Sequence, residues 1–339
     1  MIIHGPENIA GMPGLIAEGQ RAIGLDAVSI CHATPGFQFQ ADFRFGARGQ
    51  IGGRGFLETL KDLMFAAEAI HIYFGTSFLG ASLVDARLAS AAKKPVFHTF
   101  LGCDARDKRT RLAATRSSMC TECSPHGCSR NRELAIKTAL SSQQPIFVST
   151  PDLLDEIPTA IYIPLPVSIE AWTPTTEKTA TSGQRRPAEM ARPLRILHAP
   201  TDRLKKGTRH LLAAVDSLQS QGAPLELVLV ENQTQAELLA IASTCDVAVD
   251  QLMAGVYGTF AAETMTMGLP TIAWIVPIYR HHYSEDLPIL SADPQTLGAL
   301  LSRILTGEID LADCAKQSSH FAARVHGHVA VAKQVSSYY

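Results

Sequence analysis

The sequence predicts an α/β protein built from two doubly wound halves. Short apolar runs alternate with helical patterns through residues 1–171, and the same alternation restarts at residue 193 after a polar break. Strands that alternate with helices build parallel sheets covered on both faces. With 339 residues, 46% hydrophobic and 18% charged, the chain can fill two cores, and the composition excludes global disorder.

In the first half, Met1–His4, Ala27–Ile30, Ala69–Phe74, Pro95–Thr99, Pro145–Val148 and Ala160–Ile163 read as strands. Helical patterns fall between them, over Gly14–Ile23, Leu57–Glu68, Leu79–Ala92, Asn131–Leu140 and Pro151–Glu156. Residues 172–192 are Thr-rich, polar and without periodicity, which reads as a linker. Strand Leu194–Leu197 then leads to helix Thr208–Gln219, where Leu211, Leu212, Val215 and Leu218 share one face and Gly222 marks the stop. Strand Leu225–Val230, helix Gln235–Ser243, strand Val247–Asp250, helix Thr259–Met267, strand Thr271–Ile275 and helix Pro294–Leu305 follow. The expected division is a domain over 1–171, the linker, a domain over 193–317, and a helical segment over 318–339. Two Rossmann-like domains joined by a linker predict a cleft, with ligands outside the carboxyl ends of the strands.

Charge and cysteine usage narrow the function classes. Lys+Arg number 30 against Asp+Glu 32, a net charge of −2, so nothing global draws the chain to nucleic acid or to an anionic membrane. No apolar run approaches the roughly 20 residues of a membrane span. Residues 60–86 are apolar-rich but are interrupted by Lys61, Asp62, Glu68 and His71. The start Met1–Gly5 lacks the features of a secretory signal. Seven cysteines, unevenly clustered, do not make a disulfide scaffold, and a reducing, cytoplasmic location is expected. Cys120, Cys123 and Cys128 have a spacing that admits a structural zinc, with Cys103 or His126 as the fourth ligand; the alternative is reduced thiols in a loop.

Two loops carry the chemistry. His198–Thr208 follows a strand, opens a helix, and supplies Arg203, Lys205 and Lys206. Tyr257–Pro270 follows the strand ending at Asp250, opens another helix, and supplies Glu263. Helix N-termini carry free N–H groups and partial positive charge, so they attract phosphate. Cations for a diphosphate and a carboxylate for sugar hydroxyls suit a nucleotide-sugar site.

From Leu194 to Pro270 the chain resembles retaining glycosyltransferases of GT-B architecture, of the family 4 type. The order strand, Lys-Gly, helix, strand, helix, Asp-Val-Ala-Val-Asp, glycine loop, Ala-x-Glu and Met-Gly-x-Pro is kept. The resemblance extends more weakly over the first half. It implies two Rossmann-like domains facing each other across a cleft, the C-terminal one binding the donor and the N-terminal one the acceptor. It implies that residues 318–339 cross back onto the N-terminal domain. By position, Lys206 and Arg203 would bind the donor pyrophosphate, Glu263 its ribose, and Tyr257, Gly258 and Thr259 would form the donor loop. Gly11 would approach the donor phosphates, and His98 would lie near the reacting sugar. The family's first acid falls at position 255, where this chain has Gly255; a glycine turn there could still offer backbone N–H groups.

Each residue also has a plainer reading. Lys206 alone is a solvated lysine before a helix, and Glu263 alone is a helix-dipole partner. His98 also reads as a core histidine, His71 reads as structural, and Asp104 and Arg106 read as a pair or as groups that orient others at the cleft. Taken together, the two loops predict transfer of a hexose-like unit from a nucleoside diphosphate sugar to a sugar, lipid-linked, protein or small-molecule acceptor. The resemblance implies retention by front-face attack, with Arg203, Lys206 and helix N–H groups stabilising the leaving diphosphate. No Asp-x-Asp element is present, so no catalytic metal is expected. The alternative is a non-catalytic sugar-nucleotide binder or partner subunit, for which Gly255 is the supporting feature.

Overall fold

The computed structural model describes residues 1–33, 39–47, 54–114, 118–123, 130–173 and 192–339. The apolar runs become strands β1 (Ile2–Pro6), β2 (Ala27–Ala33), β3 (Phe43–Ala47), β4 (Ala69–Tyr73), β5 (Val96–Phe100), β6 (Ile146–Val148) and β7 (Ile161–Tyr162). They form a seven-stranded parallel sheet in the order β3-β2-β1-β4-β5-β6-β7. Strands β8 (Leu194–His198), β9 (Leu225–Leu229), β10 (Val247–Val249), β11 (Thr271–Ala273) and β12 (Leu290–Ser291) form a five-stranded parallel sheet in the order β12-β11-β10-β8-β9. Every residue of β1, β4, β5 and β10 is buried, as expected for strands covered by helices on both faces. The chain reverses direction across the first sheet between β1 and β4, and across the second between β8 and β10. Such crossover points open a crevice at the carboxyl ends of the strands.

The described residues of Met1–Thr110, Pro125–Pro166 and Gly327–Tyr339 make one compact unit, and those of Arg111–Ser124 and Val167–His326 make the other. The expected terminal segment 318–339 is therefore split. Helix Leu311–Val325 belongs with the second unit and helix His328–Ser336 with the first. The break falls at His326–Gly327. His326 is fully buried, its carbonyl accepts from Val167 N–H at 2.7 Å, and its Nε2 meets the Tyr257 hydroxyl at 3.1 Å.

Within the first unit the last helix packs on helix Met12–Ala22. A side chain at Gly19 would meet Ala332 Cβ at 2.6 Å and the His328 carbonyl oxygen at 2.7 Å, so glycine permits the approach. A buried polar network ties the two helices to the sheet. His4 pairs through Nδ1 with the Tyr73 hydroxyl at 2.9 Å and through Nε2 with Gln20 Oε1 at 2.7 Å, while Gln20 Nε2 donates to Ser336 Oγ at 3.1 Å. Since Gln20 Oε1 can only accept, His4 carries its proton on Nε2 and accepts from Tyr73. His71 pairs with Thr99 Oγ1 at 2.6 Å and with the Tyr339 hydroxyl. Burial lowers the His4 pKa to about 4 and holds His71 well below its usual value, so both are neutral.

Some elements depart from expectation. Strands β3 and β12 and helix Lys108–Ala114 have no counterpart in the sequence reading. β12 has two residues, too few for a period, and β3 is a short, largely exposed sheet edge interrupted by Gly46. The segment after β6 is a 3₁₀ helix over Pro151–Asp155. Among the described residues no helix is long and apolar enough to cross a membrane.

Candidate functional site

The second crossover gathers the charged residues. β8 ends in His198, whose ring is buried and fully bonded, Nδ1 to the Val249 carbonyl and Nε2 to Thr208 Oγ1, both at 2.8 Å. This histidine ties β8 to β10 and to helix Thr208–Ser220, and burial lowers its pKa to about 4. Beyond it, Asp202 caps a single helical turn, Arg203–Lys206, by accepting from Leu204 and Lys205 N–H at 3.1 Å each. The turn ends at Gly207 with φ +78°, where a side chain would meet Met253 Cγ at 2.9 Å and Leu252 Cβ at 3.2 Å. Leu252 N–H donates to the Lys206 carbonyl at 3.1 Å. Glycine at 207 thus lets the loop after β8 lie against the loop after β10.

Lys206 reaches across these loops. Its ammonium pairs with Oδ1 of Asp250, the residue directly after β10, and Oδ2 of Asp250 accepts from Gly258 N–H at 2.7 Å. The Asp250 side chain is fully buried and that of Lys206 is 16% accessible. Gly258 begins helix Thr259–Thr266 with no side-chain cap. Among the described residues the N–H groups of Thr259 and Phe260 have no acceptor, which leaves the positive end of this helix open.

Glu263 lies one turn into that helix and is partly buried. Desolvation first, and the Asp250 carboxylate second, push its pKa up to about 8, against the opposing pull of Lys206. It is therefore protonated at neutral pH. Among the described residues no hydrogen bond or ion pair reaches this carboxyl group. A neutral carboxyl can both donate to and accept from a hydroxyl.

The other expected residues fall into place with different meanings. Arg203 is half-exposed and turns its Nε and one Nη to Glu231 in a bidentate pair. Tyr257 is 2% exposed, with its ring against Tyr283 and His326. Its side chain is thus a core element, and only its backbone belongs to the loop. Gly255 has φ +76°, and a side chain there would meet Val276 Cγ2 at 2.5 Å. Its carbonyl accepts from Val276 N–H at 2.9 Å. The left-handed backbone and the packing explain why no acid stands at 255.

In the first unit, Gly11 forms the left-handed N-cap of helix Met12–Ala22 at φ +75°, after β1, and a Cβ placed on it would have no protein atom closer than 3.6 Å. His98 does not sit at a strand end. It is the middle residue of β5, 2% exposed, and it shares a face of the strand with the core residues Val96 and Phe100. Among the described residues neither ring nitrogen has a hydrogen-bond partner, and burial lowers its pKa to about 4. Its strand position turns this neutral histidine into a buried face of the sheet. Asp104 accepts from Leu101 and Gly102 N–H, and Arg106 pairs with Asp152 at 2.6 Å and with Thr150, so these two do not pair chiefly with each other. Of the cysteine cluster, Cys120 is buried and Cys123 half-buried, and Cys103 is a half-buried thiol of the first unit. Cys128 and His126 lie outside the described residues.

The residue missed by sequence reasoning is Asp250. Its signal was an acid at the carboxyl end of a strand beside a crossover, directly before a glycine-rich loop.

No family model and no curated protein matches the sequence. Solved structures do match the fold. The Anabaena HepE structure in complex with UDP has a TM-score of 0.64 at 11% identity, over 99% of this chain and 97% of that one. Sucrose-phosphate synthase from Thermosynechococcus elongatus has a TM-score of 0.61 at 16% identity, over 99% of this chain and 96% of that one. The catalytic domain of Starch Synthase IV from Arabidopsis thaliana, bound to ADP and acarbose, has a TM-score of 0.61 at 13% identity, over 100% and 98%. With two parallel sheets and their covering helices, the chain has the α/β fold shared by GT-B glycosyltransferases of known structure.

Proposed function

We propose that the protein is a glycosyltransferase that moves a hexose-like unit from a nucleoside diphosphate sugar to an acceptor hydroxyl, with retention of anomeric configuration and without a catalytic metal. The observation that carries this reading is the convergence, at one crossover, of Lys206, an open helix N-terminus at Gly258–Phe260 and the protonated Glu263. The helix end and the ammonium suit the diphosphate, where negative charge grows as the sugar departs. Arg203 adds to this by exchanging Glu231 for phosphate. Glu263 suits ribose hydroxyls, since its carboxyl is neutral and has both donor and acceptor to offer. Likeness to proteins solved with UDP, and with ADP and acarbose, supports the choice of donor class. No carboxylate stands out as a nucleophile beneath the sugar, and front-face attack then leaves the departing diphosphate to help deprotonate the acceptor. The buried thiols Cys31 and Cys245 suit a reducing compartment such as the cytoplasm.

The test is a donor panel, UDP-glucose and ADP-glucose among the first, assayed for transfer and for slow hydrolysis beside calorimetric titration of UDP and ADP. Binding with turnover supports a transferase. Binding without turnover on any donor supports a non-catalytic sugar-nucleotide protein, and absence of binding removes both readings.

A further inference from the structure

We propose that Asp250 is an internal competitor for the donor diphosphate, because its carboxylate holds the two groups that a phosphate oxygen would use, the Lys206 ammonium and the Gly258 N–H. This inference rests on the reading of the two loops as a nucleoside diphosphate site. Each cation of the first loop faces an acid of its own. Lys205 pairs with Asp202 at 3.0 Å, Arg203 with Glu231, and Lys206 with Asp250. The first two pairs are substantially exposed, with side-chain accessibilities between 34% and 52%. Exposed pairs contribute little and are screened by salt, so a phosphate displaces them readily.

The third pair differs in kind. Asp250 has no accessible side-chain surface, and drawing Lys206 away from it leaves a buried carboxylate with one partner fewer. Among the described residues Glu263 makes no hydrogen bond to Asp250, whose carboxylate is held by Lys206 and the Gly258 N–H. A carboxylate held by an ammonium and by the N–H that begins a helix copies the donor set of a bound phosphate oxygen. Gly258 keeps the arrangement tight, since a side chain there would stand 3.2 Å from Asp250 Oδ2 and 3.3 Å from Lys206 Nζ. A diphosphate therefore shares Lys206 with Asp250. The consequence is weaker ground-state affinity and easier release of the leaving diphosphate.

The test is calorimetric titration of UDP and ADP into the full-length wild type, Asp250→Asn, Lys206→Ala and the double variant. The Asn side-chain oxygen can still accept from Gly258 N–H, and Asp250→Ser serves as a second variant with the same expected sign. Asp250→Asn is expected to tighten nucleoside diphosphate binding by about tenfold, in line with the removal of one like charge from a desolvated site. The gain is expected to vanish in the double variant, because it runs through Lys206. Binding by Asp250→Asn and Asp250→Ser that is equal to or weaker than wild type overturns the proposal. If Lys206→Ala binds UDP and ADP as the wild type does, the site reading itself fails, whatever Asp250 does.

Discussion

The strands at the two crossovers handle buried polar groups in opposite ways. In β1 and β4 the polar residues lie within the strands, His4 beside His71 in register, and each finds partners in Tyr73, Gln20, Thr99 and Tyr339. In β8 and β10 the buried strand residues are apolar up to His198. The titratable groups Lys206, Asp250 and Glu263 come from the loops and the helix that follow the strand ends. The first arrangement spends its hydrogen bonds on holding helix His328–Ser336 in place. The second leaves a carboxyl group and two backbone N–H groups without protein partners among the described residues. Buried polar groups that satisfy one another fix structure, and those left open are where a ligand can gain free energy. His98 is the exception, buried and unpaired but inside a packed face, and the structure offers no physical account of it.

The contrast can be broken by substitution, and Lys206→Ala should have the largest effect. Nucleoside diphosphate affinity is expected to fall by about a hundredfold, as for loss of one charge-assisted contact in a desolvated site. The melting temperature should fall as well, because Asp250 is left buried without its cation. Adding Asp250→Asn should restore the melt and leave binding weak; recovery of binding together with the melt would make the pair purely structural.

Gly19→Ala tests the first region. Its new methyl group would collide with Ala332 and the His328 carbonyl, for a cost of about 1–3 kcal/mol by denaturant unfolding. Tyr73→Phe should cost about 1–3 kcal/mol by leaving His4 Nδ1 unpaired. In both variants UDP affinity should stay at the wild-type value; a change in affinity would erase the distinction between the two regions.

Titration distinguishes His4 from Glu263 too, with opposite signs. His4 is held at about 4, below its unfolded value of 6.5, so the unfolded chain binds more protons in that window and stability falls as pH drops from about 6.5 to 4. Glu263 is held at about 8, above its unfolded value of 4.5, so the folded chain binds more protons and stability falls as pH rises from about 4.5 to 8. Glu263→Gln should therefore gain on the wild type in thermal midpoint as pH rises through that range. A pH-independent difference between the two would contradict the raised pKa.

Arg203→Ala should have the smallest effect, a few-fold loss of nucleoside diphosphate affinity that fades with added salt, since its partner Glu231 already holds it in a half-exposed pair. A loss as large as that of Lys206→Ala would reverse the order of the two cations.

Much of this was legible from residue order. Buried parallel strands are near-continuous apolar runs, so β1, β4, β5, β8 and β10 stand within about two residues of their expected bounds. Lys206 and Glu263 stand out in the sequence because each follows a strand and precedes or enters a helix. What the sequence could not supply was partnership. Asp250 is an ordinary strand-end acid until the fold sets Lys206 and Gly258 beside it. Gly255 looked like a lost acid, but the packing of Val276 shows a position with no room for one. Tyr257 and His98 looked like site residues because sequence places them near strand ends and turns, whereas burial is a property of the tertiary contacts.

The central claim is that the loops after β8 and β10 bind a nucleoside diphosphate at the start of helix Thr259–Thr266. Backbone amide hydrogen exchange, with and without saturating UDP or ADP, tests it most directly. The account predicts slowed exchange concentrated at residues 203–208 and 258–263, with the N–H groups of Thr259 and Phe260 among the most protected. Protection by both nucleotides that falls elsewhere and leaves these two loops unchanged would contradict it.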